Sequence, residues 1–270
     1  MRAGRNPAAL STMTDGMAEA TFSIDRGGGI VRITLERPPL NILDLPTLRS
    51  LNRVLEECDV ESVRVLVLRS GIEKGFSAGV DVRDHRTERV AEMLDEVRIN
   101  ARRLLRYGPV TIAAIHGLTL GGGLELAMLC DLVLCAEDAV IATPEIGLAA
   151  FAPIAAAWFP ELCGWRRTME LLMGLQMDAD SARQAGLVTR VVHGEALDGE
   201  TTQLAEELAG RSAVALHAIK SVMRSGRDER VLARLDECIR IYHERVAFSR
   251  DASEGIAAFL EKRAPTWSHR

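Results

Sequence analysis

Apolar and polar positions alternate along the chain at two periods, and the changes of period mark the elements. From Thr21 to Pro38 (TFSIDRGGGIVRITLERP) the alternation has period two on both sides of Gly27-Gly28-Gly29, which predicts a β-hairpin ended by Pro38-Pro39. From Asp44 to Asp59, Leu48, Leu51, Val54 and Leu55 share one face at helical spacing and predict an amphipathic helix. SVRVLVLRS (Ser62 to Ser70) and PVTIAAIHG (Pro109 to Gly117) are apolar almost throughout, the pattern of strands covered on both faces. Between them come a loop, GIEKGFSAGVD (Gly71 to Asp81), and a mixed helical stretch to Tyr107. DLVLCAEDAVIATPE (Asp131 to Glu145) predicts a third buried strand, a turn at Glu137-Asp138 and a short fourth strand. From about Pro160 the pattern is helical, broken by a brief strand in GLVTRVV (Gly186 to Val192). Asp178 or Asp180, and Ser253, are expected helix caps. Strands alternating with helices predict an α/β fold with parallel crossovers, and there is no internal repeat.

Composition narrows the function classes. A chain of 270 residues, 47% hydrophobic and 26% charged, can bury one large core. A net charge of −5 argues against nucleic acid or an anionic membrane as the main partner. The five cysteines show neither CxxC nor zinc-knuckle spacing, which fits reduced thiols in a cytoplasmic protein and predicts no metal site. No run of about 18 apolar residues suggests a membrane span. Residues 1–20 lack the apolar core of a secretory signal and contain Met13 and Met17. They are expected to be either a disordered tail or the product of an upstream start codon.

The candidate chemistry lies in two glycine loops and two acids. HGLTLGGGLELAMLCD (His116 to Asp131) runs three glycines into a helix whose first turn carries Glu125 among apolar neighbours. Either this is a turn before a core helix with a polar rim residue, or the carboxylate is buried for use, since burial is costly otherwise. Glycines allow close approach to backbone N–H groups, which are unpaired at a helix start. SAGVD offers a second tight turn after a buried strand, so one N–H from each loop could form an oxyanion hole. Neither loop is a GxGxxG fingerprint or a Walker loop. Glu145, in ATPEIGL, follows a strand that runs back from Glu125. It reads either as a first-turn helix acid or as the partner of Glu125 across a shared water, one acid and one base.

FSAGVD, HGLTLGGGLELAMLCD, ATPEIGL, SARQAGLVTRVV and EGIAAFLEKR occur in one order and spacing over about Thr21 to Arg263. On these motifs the chain resembles the enoyl-CoA hydratase/isomerase (crotonase) superfamily. The resemblance implies an α/β spiral of ββα units over residues 21–200. It also implies a helical C-terminal trimerisation region over 201–270, in a homotrimer or a dimer of trimers. It implies that the N–H groups of Val80 and Gly122 bind the thioester oxygen of an acyl-CoA. Glu125 would help to activate a water, and Glu145 would handle the proton exchanged at the α-carbon. Ala78 would grip the adenine of coenzyme A through its backbone, with Phe259 and Lys262 contributing from a C-terminal helix; Lys262 is otherwise a solvated helix-end lysine. No cofactor is implied beyond the coenzyme A of the substrate. Two retained acids favour a lyase that adds water to a conjugated C=C, with a double-bond isomerase as the alternative. An RNA-binding member would need a lysine-rich helix, and the basic clusters here are short. A catalytically silent scaffold is the remaining alternative.

The chain departs from the family after Glu145. EIGLAAFAPIAAAWFPELCG has Ala149 in place of a usual glycine, and Ala152-Pro153 with Ala155-Ala156-Ala157 in place of a glycine-rich turn. That segment, PPLNIL and HRTERVAEML resemble the branch that hydrates cyclohexa-1,5-diene-1-carbonyl-CoA. His85 is expected to be a solvated loop residue rather than an acyl-pocket residue, and His116 a hydrogen-bonded packing residue. Trp158 and Trp165 are expected core or subunit-interface anchors. RSGRDERVLARLDE (Arg224 to Glu237) is expected to be a solvated helical face.

Overall fold

The computed structural model describes residues 22–58 and 62–270, so the expected N-terminal tail lies outside the described residues. The hairpin forms as β1 (Phe22–Gly27) and β2 (Ile30–Leu35), and α1 (Leu45–Glu57) starts on Asp44, whose carboxylate accepts from Thr47 N–H. Then follow β3 (Val65–Ser70), a 3₁₀ turn at Val82–His85, α2 (Val90–Leu105) and β4 (Val110–Ile115). After them come β5 (Leu118–Leu120), α3 (Gly122–Met128), β6 (Leu132–Ala136), β7 (Val140–Ala142) and a 3₁₀ turn at Pro144–Leu148. The C-terminal half holds α4 (Pro153–Leu172), α5 (Ala179–Ala185), β8 (Arg190–Val192), α6 (Leu197–Ala209), α7 (Ala213–Arg224) and α8 (Arg227–Ile241). A π turn at Tyr242–Val246 leads to α9 (Arg250–Glu261).

The main sheet has the order β1-β2-β3-β4-β6-β8, antiparallel only between β1 and β2. Its central strands β3, β4 and β6 are largely apolar because both faces are covered, with Thr111 and the Arg69-Ser70 end of β3 as exceptions. Leu66 and Leu68 point into one core and Val65 and Val67 into another, which Leu204, Ala205 and Ala209 of α6 close. α6 therefore straddles residue 200 and covers the sheet.

The structure departs from the pattern in four places. Leu118–Leu120, inside the expected glycine loop, is a strand, and the short strand at 140 pairs with it in parallel, so the two form a separate small sheet. Three residues are too few to show a period. α4 begins at Pro153 rather than Pro160, with proline at a helix position where no N–H is needed, and it kinks at Gly164 (φ +75°). Of the expected caps, Asp178 accepts from Ser181 N–H at 2.7 Å, but α9 is capped by Ser249 and not Ser253. The charge run at Arg224 to Glu237 is amphipathic, with Val231, Leu232 and Leu235 buried and Asp228 buried against Arg227 at 2.8 Å.

Candidate active site

The two glycine loops meet behind the small sheet. Leu43 N–H donates to Gly79 O (2.9 Å) and Asp81 N–H to Leu43 O (3.3 Å), which turns Val80 N–H the other way. Ser77 Oγ braces this turn, accepting from Gly79 N–H (3.1 Å) and donating to Asn41 O (2.7 Å). On the facing loop, Gly121 has φ +51° and Gly122 opens α3. A Cβ at Gly122 would stand 2.6 Å from Val80 Cγ2 and 3.4 Å from Val80 N, so only glycine lets the loops close. A Cβ at Gly121 would collide with Glu145 Oε1. Neither Val80 N–H nor Gly122 N–H has a hydrogen-bond acceptor among the described residues. Two adjacent free donors, one at a helix start, are an anion-stabilising pair.

Glu125 lies one turn into α3 and is 3% exposed. Its Oε1 accepts from Ala155 N–H at 2.8 Å, so the carboxylate caps the first turn of α4. Burial, and then the charge of Glu145, push its carboxyl above the usual range, with the N–H groups of Ala155 and Ile154 opposing. Glu145 stands on the 3₁₀ turn after β7. Its Oε2 is buried with no hydrogen-bond partner among the described residues, and burial raises its carboxyl too. Two such carboxyls cannot both ionise freely, which suits one acid and one base. Both belong to one centre, because the phenol of Tyr242 feels the charge of each.

A small apolar cavity adjoins this centre. Leu48 and Leu51 of α1, Val97 of α2, Leu126 of α3 and Ile154 of α4 line it, and it reaches Val80, Gly122 and Glu125. The alanine-rich departure thus builds one wall, and its small residues Ala155 and Ala157 are fully packed.

The structure brings Val80, Gly122, Glu125 and Glu145 together. Ala78 lies two residues before Val80, with its N–H taken by Leu40 O (2.9 Å) and its carbonyl free of backbone partners among the described residues. Phe259 (58% exposed) and Lys262, which caps α9 at φ +55°, stand at the exposed end of that helix. His116 Nε2 bonds Ile72 O at 2.9 Å, as a packing residue does. Trp158 is a core anchor, donating to Met128 O at 2.7 Å, while Trp165 is exposed. His85 is not solvated: its Nδ1 is 2.9 Å from Tyr242 Oη, and burial lowers its pKa to about 4, so it is neutral.

Sequence reasoning missed three polar residues here. Asn41, at φ +48°, donates to Phe76 O (3.0 Å) and Ser70 Oγ (2.9 Å) and so holds the base of the first loop. Its place after two prolines was the available signal. Tyr242 opens a π turn, a local distortion common at functional sites, and Asn100 lines the cavity. Neither carries a local signal.

With this geometry in place, the comparisons agree. The enoyl-CoA hydratase/isomerase family profile matches residues 25–270, and the chain belongs to that family. A probable enoyl-CoA hydratase of Mycobacterium tuberculosis is 31% identical over 94% of this chain and 100% of its own length. The cyclohexa-1,5-dienecarbonyl-CoA hydratase of Thauera aromatica is also 31% identical, over 96% and 100%. The crystal structure of an enoyl-CoA hydratase/carnitine racemase from Magnetospirillum magneticum superposes with a TM-score of 0.73 at 30% identity, covering 94% of this chain and 97% of that one. The α/β fold is therefore the crotonase fold.

Proposed function

We propose that this chain is an enoyl-CoA hydratase, adding water across the conjugated C=C of an enoyl-CoA or a cyclic dienoyl-CoA. The observation that carries the reading is the meeting of two raised-pKa carboxyls and two free backbone N–H groups at the mouth of an apolar cavity. The thioester oxygen accepts from Val80 N–H and Gly122 N–H. A water lies between Glu125 and Glu145, where Glu145 Oε2 offers an unused acceptor. The water oxygen bonds to the β-carbon while Glu125 takes its proton. The C=C electrons pass to the thioester as an enolate, which the two N–H groups stabilise. Glu145 delivers a proton to the α-carbon, and the enolate collapses to the 3-hydroxyacyl-CoA. Losing one oxyanion donor of this kind costs about 100- to 1,000-fold in rate.

Charge is met by backbone dipoles and protons by carboxyls, so the scheme needs no metal or redox cofactor. Ala78, Phe259 and Lys262 are assigned to coenzyme A. No helix among the described residues is long and apolar enough to cross a membrane, and the reading places the enzyme in the cytoplasm without nucleic acid as a partner. α7 exposes Val214 (80%), Ile219 (63%), Val222 (74%) and Met223 (66%), a face suited to a second copy in a homotrimer or a dimer of trimers. Light scattering at working concentration checks that assembly; a monomer would overturn it.

The test is hydration of crotonyl-CoA and cyclohexa-1,5-diene-1-carbonyl-CoA by wild type, Glu125→Gln and Glu145→Gln. Hydration that falls at least about 100-fold in each variant supports the two-acid reading. Conversion of a 3-enoyl-CoA to its 2-enoyl isomer with one glutamate dispensable would replace it with an isomerase. A preference for the cyclic diene would assign the branch.

A further inference from the structure

Besides Glu125, the cavity that adjoins it is lined by one other polar side chain. Asn100, on α2, lines it among Leu48, Leu51, Leu126 and Ile154, and is 4% exposed. An amide can be turned either way by 180°, and its neighbours decide which. Asn52 on α1 settles the matter. Its side-chain nitrogen meets Glu96 O at 3.1 Å and Glu96 Oε2 at 2.9 Å, and both of those are acceptors. The Nδ2 of Asn52 must therefore face Glu96, and its Oδ1 must face Asn100. Asn100 can only answer with its own Nδ2, at 3.3 Å. Its Oδ1 is left over, and no hydrogen bond among the described residues takes it up. The polar point in the cavity is thus an acceptor, held in one orientation from behind.

We propose that Asn100 is a specificity residue that selects acyl chains bearing a hydroxyl group. This inference rests on the hydratase reading. An acyl chain that fills the cavity strips water from this acceptor, and a substrate hydroxyl removes the resulting cost where an alkyl chain does not. A carboxylate or keto substituent offers no proton and is not selected. The hydroxyl in question is a substituent of the incoming chain, distinct from the one that hydration installs on the β-carbon. Asn52 is a positioning residue, since it acts only through Asn100.

The experiment compares 2-pentenoyl-CoA and 2-hexenoyl-CoA with the same chains hydroxylated at C4, C5 or C6, using wild type, Asn100→Leu and Asn52→Leu. Wild type is expected to favour one hydroxylated chain over its parent by about 10- to 100-fold in kcat/KM, chiefly through KM. Asn100→Leu removes the preference, and Asn52→Leu weakens it by freeing the amide to turn. A wild-type ratio near one for every pair overturns the inference, as does a preference that survives Asn100→Leu. If that variant does not fold, the wild-type ratio alone decides. Wild type that hydrates every chain without preference overturns only the role of Asn100; wild type that hydrates none overturns the hydratase reading and this inference with it.

Discussion

The two carboxylates of the site are held in opposite ways. Glu125 is part of the core: it sits within α3, is 3% exposed, and caps α4 through Ala155 N–H. Moving it would mean moving two packed helices. Glu145 stands on a five-residue 3₁₀ turn, is half-buried, and leaves Oε2 without a partner. Its support comes from outside, where α9 presses on the turn at Gly255. A Cβ there would lie 2.6 Å from the backbone C and O of Leu148. The fold thus fixes one acid by packing and the other by a buttress, leaving the second free to change hydrogen-bond partners as a proton transfer requires.

Chemistry gives the largest expected effect. Glu125→Gln and Glu145→Gln should each lower kcat by about 100- to 10,000-fold with the fold retained, as circular dichroism would check. The kcat/KM profile of the wild type should be bell-shaped, with limbs above the usual carboxylate range that belong to the pair rather than to either acid. Each variant should lose one limb. Next in size is the buttress. Gly255→Ala should lower kcat by about 10- to 100-fold, because displacing a catalytic group by an ångström is that costly. The melting temperature should fall as well, because backbone atoms of Leu148 must give way to the new Cβ, which outweighs the roughly 1 kcal/mol of helix propensity that alanine regains. Full activity in this variant would erase the contrast, showing that the turn is placed from the core as Glu125 is.

Much of this was legible in sequence because the informative residues are adjacent in the chain. Gly121, Gly122 and Glu125 form one run, and Val80 lies in a second. Local rules about helix starts and glycine read such runs well. The buttress was not legible. Gly255 meets Leu148 across more than a hundred residues, and glycine within a helix gives no hint of what it approaches. The same holds for Tyr242 with His85, and for Asn100 with Asn52, where partners come from different elements. The start of α4 was misplaced for another reason. Its first turn is apolar and has no side-chain cap of its own, because Glu125, thirty residues earlier, supplies it.

The contrast also predicts how stability responds to pH. Both carboxyls are raised in the fold, so the folded chain holds more protons than the unfolded one. The associated stability is fully present below the unfolded carboxylate value of about 4.3, and is lost as pH rises through the raised values. Glutamine does not ionise. The melting temperature of Glu125→Gln relative to wild type should therefore increase between roughly pH 5 and pH 8, measured by scanning calorimetry. A smaller increase is expected for Glu145→Gln, because its carboxyl is raised to about 7 where that of Glu125 is raised to about 8. Equal increases would mean that the two acids sit in equivalent surroundings.

The smallest effect tests how the turn itself is built. Ala149 ends it at φ +52°, in the left-handed region where a Cβ is strained. That conformation lets Ala149 N–H reach Ile146 O (3.1 Å) and Ala150 N–H reach Glu145 O (3.1 Å), closing the turn behind the Glu145 carboxylate. Ala149→Gly relieves roughly 1–2 kcal/mol of left-handed strain. It returns about 0.4–1 kcal/mol by loosening the unfolded chain. The net expectation is a stabilisation of up to about 1.5 kcal/mol in denaturant unfolding, with kcat within about twofold of wild type. A variant that gained stability but lost activity would show that the strain at Ala149 helps to aim Glu145, and that the second acid is fixed by tension within its turn as well as by α9.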